Sequence, residues 1–168
     1  MPLNLLKVYN ELLDLIGLGP IEKNRSLRGV FNRDFIDLGQ PSFNGKPIYP
    51  TPKEGEIEMN TLFAHLTTVV VEKKTRQREF ELKRSLRLHW VRHHLDQRRS
   101  DEMLTFSVKE PEGVRTYIYD KSERYVVILE PLRDRSAYYL LTAFHVEGRD
   151  ASRNKFEKKW KRKLDTLL

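Results

Sequence analysis

Four short runs of β-forming residues follow one another in the second half of the chain, and they narrow its possible folds more than any other feature. They read MLTFSV (103–108), VRTYIYD (114–120), YVVILE (125–130) and AYYLLTAF (137–144). β-Branched and aromatic residues of this kind fit a pleated, half-buried surface. Pro111 and Gly113 punctuate the first gap, DKSE (120–123) the second, and Pro131 with RDRS (133–136) the third. Gaps this short cannot hold crossover connections, so successive strands should run antiparallel. The expected fold class is α+β: a four-stranded antiparallel up-and-down sheet packed with helices, plus a helical and irregular N-terminal extension. YVVIL is apolar without alternation, which suits a central strand covered on both faces. In the last run, strict alternation would set residues 138, 140, 142 and 144 on one face and 139, 141 and 143 on the other.

Helical periodicity frames these strands. Leu5, Leu6, Tyr9, Leu12, Leu13 and Ile16 form one stripe, which predicts a helix over 4–16 with Asn4 as N-cap and Gly17 to Pro20 as its stop. Residues 17–55 are rich in Gly, Pro, Asn and Asp around the isolated aromatics Phe31, Phe35, Phe43 and Tyr49, and read as an irregular arm. Met59, Leu62, Phe63 and Leu66 predict a helix over 56–66, with β-branched residues following to Val71. The charged run EKKTRQRE (72–79) has no clear period. Leu82, Leu86, Trp90 and Val91 predict a helix over 82–96, and Phe156, Trp160 and Leu164 another over 152–167. At 168 residues the chain is expected to be one core domain, 76–168, with residues 1–75 as its extension.

Charge points to a partner. The net charge is +7, concentrated in two stretches. Residues 72–99 carry ten Lys/Arg against four Asp/Glu, and residues 149–163 carry eight against two, so the remainder is net acidic. Two basic segments on an otherwise acidic chain suit a polyanion such as RNA, although solvated helix faces would look the same. The acidic first half could also mask a basic face, or its amphipathic helix could dock a partner. The absence of cysteine excludes a disulfide framework, a thiolate metal site and a cysteine nucleophile. No run is long enough for a membrane span, and the N-terminus lacks the pattern of a signal peptide, so a cytoplasmic protein without a membrane partner is expected.

There is no P-loop, no G-x-G-x-x-G and no H-E-x-x-H motif. His89 and His93 share a helix face at a spacing that suits zinc, yet no third ligand stands nearby, so neither metal nor cofactor is expected. Acid–base chemistry fits these residues better. Histidine titrates near neutrality and can take a proton from a ribose 2′-OH or give one to a leaving oxygen. Arg84, Arg87 and Arg92 lie within two turns and could stabilise the charge that develops at phosphorus. Thr142 and Tyr139 on the last strand could add hydroxyls. Lys155, Lys158, Lys159 and Arg162 suit a phosphate track. Trp90 could stack on a base, although its helical spacing also suits core packing.

RSLRLHWVRHHL (84–95), RTYIYD (115–120), RYVVILEPLR (124–133) and AYYLLTAFHV (137–146), followed by a lysine-rich helix, resemble the phage-associated branch of the Barnase–EndoU–colicin–RelE ribonuclease superfamily. The resemblance covers roughly residues 76–163. Arg87, His89, Trp90 and His93 match its helix motif, and Thr142 its strand threonine. It implies a metal-independent endoribonuclease of toxin type, acting on transfer or messenger RNA by 2′-OH transesterification, with a neutralising antitoxin or immunity partner. A non-catalytic nucleic-acid-binding or phage-structural module on the same fold is the alternative.

Overall fold

The computed structural model describes residues 3–96 and 103–168. Gln97, Arg98 and Arg99, at the end of the first basic stretch, lie outside the described residues. The fold is α+β, as expected, but its main sheet has six strands and is mixed. The chain opens with a 3-10 turn, Leu3–Leu6, followed by the helix α1, Pro20–Asn32, which runs into a single π turn, Arg33–Asp37. Two short strands come next, β1 at Ser42–Phe43 and β2 at Lys46–Pro50. Helix α2, Glu58–Thr67, leads directly into a hairpin of β3, Thr68–Glu72, and β4, Gln77–Phe80. Two short helices follow, α3 at Leu82–Ser85 and α4 at Trp90–Leu95. The four expected strands are β5, Met103–Glu110; β6, Gly113–Asp120; β7, Tyr125–Pro131; and β8, Tyr138–His145. The chain closes with α5, Gly148–Ser152, and α6, Lys155–Lys161.

β5 to β8 pair antiparallel in sequence order, each with its neighbour. The four-stranded expectation fails at the other edge. There β2 pairs parallel to β8, Ile48 opposite Tyr138 and Pro50 opposite Leu140, and β1 continues outward, giving the order β1-β2-β8-β7-β6-β5. The physical reason is edge protection: β8 would otherwise expose an unpaired row of backbone groups, and the 41–52 segment covers the first half of that row. The second half of β8 receives no strand.

One core spans both halves of the chain. Leu27, Val30, Phe31, Phe43, Ile48, Leu62 and Leu66 pack with Trp90, Val91, Ile118, Val127, Leu129, Tyr138 and Leu140 on one face of the sheet. Residues between Leu13 and Ile48, read from the sequence as part of an extension, therefore contribute to this core. The opposite face has a smaller cluster, where Phe106, Tyr117, Tyr119 and Val126 receive Phe156 and Trp160 around α6. β7 is covered on both faces, as YVVIL implied.

Several local expectations give way to tertiary contacts. Residues 4–16 are not a continuous helix. The Asn4 side chain accepts from the Asp14 N–H at 2.7 Å and donates to the Asp14 carbonyl at 2.9 Å, clamping a loop. The carbonyls of Val8 and Glu11, which a helix would use internally, instead face His89 Nε2 and Trp90 Nε1, each at 3.0 Å. Leu13 and Leu15 are buried, whereas Leu6, Leu12 and Ile16 are exposed. The irregular arm contains α1, with Pro20 in its first turn, where a missing N–H costs nothing. The helix expected over 82–96 is broken into α3 and α4, and the one expected over 152–167 shrinks to α6, with α5 lying just before it. Among the described residues, no helix is long and apolar enough to cross a membrane.

Candidate nucleic-acid interface

A β-bulge decides which side chains of β8 meet. Ile128 pairs with Thr142 but Leu129 pairs with Leu140, so Leu141 is an extra residue. The bulge breaks the expected alternation. Tyr138, Leu140 and Ala143 stay in the main core, while Tyr139, Thr142 and Phe144 share the opposite face.

That face is only half covered. Helix α6 packs toward β5. Beyond it lies a groove of about 340 Å³ lined by Glu110, Arg115, Tyr117, Ile128, Thr142 and Lys159, among others. Arg115 pairs with Glu130 at 2.8 Å. Glu110 accepts from Tyr117 Oη at 2.9 Å and pairs with Lys159. Burial raises the Glu110 carboxyl, but these bonds outweigh burial and hold it below the usual range.

Leu141 and Thr142 line a second pocket as well, of about 350 Å³, at the open half of the β8 edge. Its other walls are Thr51, His65 at the end of α2, Arg84 on α3, and Val69, Val70, Arg76 and Arg78 of the β3–β4 hairpin. Arg84 Nη1 donates to Thr142 Oγ1 at 3.1 Å and to the His65 carbonyl at 3.0 Å. Glu81 caps α3 by accepting from the Arg84 N–H at 2.6 Å, which fixes the start of that helix and the direction of its arginine. Burial, then Arg78, Lys53 and Arg84, lower the His65 imidazole below its ordinary value, so it is neutral at pH 7.

Of the residues singled out in the sequence, Arg84, Thr142, Lys155 and Lys159 line these two adjoining pockets, and Tyr139 shares their sheet face. Arg162 reaches toward Glu110 at 3.8 Å, and Lys158 is exposed on α6. The others lie elsewhere. His89 is buried, its Nε2 donating to the Val8 carbonyl. His93 stacks on Tyr9, with ring centroids 3.6 Å apart. Trp90 is in the core. Arg87 donates to the Lys83 carbonyl and lies over the Trp90 ring. Arg92 donates to the carbonyls of Asp34 and Gly39, both at 2.8 Å, closing the end of the α1 region. The histidine and arginine cluster of 84–95 therefore divides: only Arg84 turns to the sheet groove, His89, Trp90, Arg92 and His93 hold segments between Val8 and Gly39, and Arg87 stays on its own helical stretch.

Sequence reasoning missed His65, Arg76 and Arg78. Arg76 and Arg78 sat in a run without clear structure, and His65 looked like part of an amphipathic helix. A turn signal was present in KKTR (73–76), between the β-branched residues 67–71 and QREF (77–80). Among the described residues, no three His, Asp or Glu side chains group as metal ligands. No family model, curated protein or solved structure matches this chain.

Proposed function

We propose that this protein binds single-stranded RNA across the open half of its sheet. One observation carries the reading: Leu141 and Thr142 line both pockets, so Lys155, Lys159 and Arg115, each paired with a carboxylate, and Arg76, Arg78 and Arg84, with no ion pair among the described residues, border one continuous surface. Tyr117, Phe144 and the strand hydroxyls form its floor. A positive groove with aromatic side chains suits a strand whose bases are unpaired. Cations placed along a backbone would release counterions, so affinity should fall steeply with salt.

Cleavage is the second reading, and His65 favours it. A neutral imidazole beside Arg78, Arg84 and Thr142 can accept the proton of a 2′-OH while the guanidinium groups stabilise charge at phosphorus. This moves proton transfer away from His89 and His93. A neutralising partner, as the family resemblance implies, would have to cover the same surface.

The test is fluorescence anisotropy with a labelled RNA strand over a salt series, on wild type and on a variant carrying Arg76→Gln and Lys155→Gln. Binding that weakens with salt, with a shallower slope in the variant, supports the reading. Wild-type binding that ignores salt, or no binding at all, sinks it. Incubation with total RNA, with and without His65→Ala, separates a nuclease from a binding module.

A further inference from the structure

Two guanidinium groups bond one oxygen beside the hairpin pocket. Arg78 Nη2 and Arg84 Nη1 both donate to the Thr68 carbonyl, at 2.9 and 3.0 Å. Arg78 Nε also donates to Thr68 Oγ1 at 2.7 Å, which fixes the plane of that group. Arg76, at the hairpin turn, lines the same pocket. Among the described residues none of these three arginines forms an ion pair. The Arg78 charge disfavours the charge of Arg84, and the Glu81 carboxylate at the start of α3 opposes it without forming an ion pair.

Hydrogen bonding is incomplete at the same place. Thr51 Oγ1, His65 Nδ1 and Arg84 Nε are buried without a partner, and all three residues line this pocket. Each such atom carries a desolvation penalty that nothing in the protein offsets. Three arginines without an ion-pair partner among the described residues, and unmet polar atoms around the same concavity, describe an anion site.

We propose that this pocket binds a phosphate monoester, which on an RNA lying in the groove is the terminal phosphate of the strand. The proposal rests on the RNA reading only for the molecule that carries the phosphate. Charge selects the monoester. An internal phosphodiester carries one negative charge, whereas a monoester carries about −1.5 to −2 at neutral pH and presents three acceptor oxygens. Three guanidinium groups and the Thr142 hydroxyl match the second better. Position agrees, because the pocket lies between the sheet and the β3–β4 hairpin, where the groove ends.

The experiment uses the full chain and internally labelled RNA strands of one sequence, ending in a 5′-phosphate, a 3′-phosphate or hydroxyls only. Affinities are read by anisotropy for wild type and Arg78→Gln, and inorganic phosphate alone is titrated in thermal unfolding. One phosphorylated strand should bind about tenfold tighter than the hydroxyl strand, and Arg78→Gln should erase that preference. Phosphate should raise the wild-type Tm and leave Arg78→Gln unchanged. Equal affinity for all three strands with no Tm rise overturns the proposal and leaves the RNA reading standing. A preference that persists in Arg78→Gln also overturns it, by placing the phosphate elsewhere. If no strand binds but phosphate still raises the Tm through Arg78, the pocket stands and the RNA reading falls. Arg76→Gln, exposed at the hairpin turn, replaces Arg78→Gln if that variant does not fold.

Discussion

Replacing Asp120 with alanine takes away the acceptor on which three parts of the chain converge. Tyr9 Oη donates to its Oδ2 at 2.9 Å, and His94 Nε2 donates to the same oxygen at 3.1 Å. The Ser122 N–H, the Ser122 hydroxyl and the Glu123 N–H donate to Oδ1. His94 and Asp120 are 0% and 2% exposed, so water cannot stand in for a lost partner. The second ring nitrogen of His94 faces the Trp90 carbonyl at 2.7 Å, which only accepts. Both ring nitrogens therefore sit against acceptors inside the protein. Removing a buried carboxylate that holds this many donors costs about 3–5 kcal/mol, and the stranded Tyr9 hydroxyl and Ser122 turn fall within that figure. For a chain of this size each kcal/mol moves Tm by about 2–4 °C, so Asp120→Ala should lower Tm by about 10 °C.

Urea unfolding followed by tryptophan fluorescence measures this directly, since the Trp90 ring lies 5.2 Å from Tyr9 and 5.4 Å from Tyr125. A loss below about 1 kcal/mol for Asp120→Ala would refute the reasoning. The pH dependence gives an independent check. Burial raises the Asp120 carboxyl, but hydrogen bonds from His94, Ser122 and Tyr9 outweigh it and hold the carboxyl well below the ordinary aspartate range. A depressed folded value contributes stability that is present above the unfolded value of about 3.9 and lost as pH falls through the folded one. The aspartate contribution to the gap between wild type and variant should therefore persist down to about pH 4 and shrink only in stronger acid.

Further outcomes follow from burial and charge. Leu13→Ser should cost about 2–4 kcal/mol in urea unfolding, whereas Leu12→Ser and Ile16→Ser, at 43% and 92% exposed, should stay within about 0.5 kcal/mol. Phe156→Ala removes the ring that α6 sets among Tyr117, Tyr119 and Phe144 and should cost about 3–5 kcal/mol, read as a drop in Tm. Lys155→Gln should lower RNA affinity alike for all sequences and reduce the salt slope by about one, measured by anisotropy. If RNA is cut, His65→Ala should abolish cutting while a folded His93→Ala retains it. Because burial and nearby cations depress the His65 value, its base form predominates at pH 7, and the rate should hold at neutral pH and fall only as the solution becomes acidic.

The antiparallel strands were legible because each carried its own local signal. The turn residues between β5 and β8 set direction and order, and the unbroken YVVIL run set the middle of the sheet. What failed were features decided by distant partners. The stripe from Leu5 to Ile16 has a helical period, yet His89 and Trp90 bond the carbonyls a helix there would need. Conversely, Leu27, Val30, Phe31 and Phe35 already showed the spacing of α1, hidden among turn-forming residues. The parallel pairing of β2 with β8 had no local signal at all, because Pro47 and Pro50 argue against a strand and only the open edge of β8 recruits it.

The candidate site separates charge that is close in sequence from charge that is close in space. Residues 84–95 look like one catalytic surface, but a helix face there has two neighbours. The N-terminal segment offers bare carbonyls, and histidine, tryptophan and arginine are well suited to donate to them. Arg92 ends on the carbonyls of Asp34 and Gly39, His89 on that of Val8 and Trp90 on that of Glu11. Donors spent on backbone acceptors are not available to a phosphate. Arg84 differs: Glu81 starts α3 just before it and directs it to the β8 edge, where the Leu141 bulge has turned Thr142 outward, and although its Nη1 also donates to the His65 and Thr68 carbonyls, its Nε has no partner among the described residues. There it meets Arg76 and Arg78, which belong to a hairpin whose charged residues have no core to serve. The signal for a polyanion is therefore strongest where basic residues lack ion-pair partners, not where they are densest in the sequence.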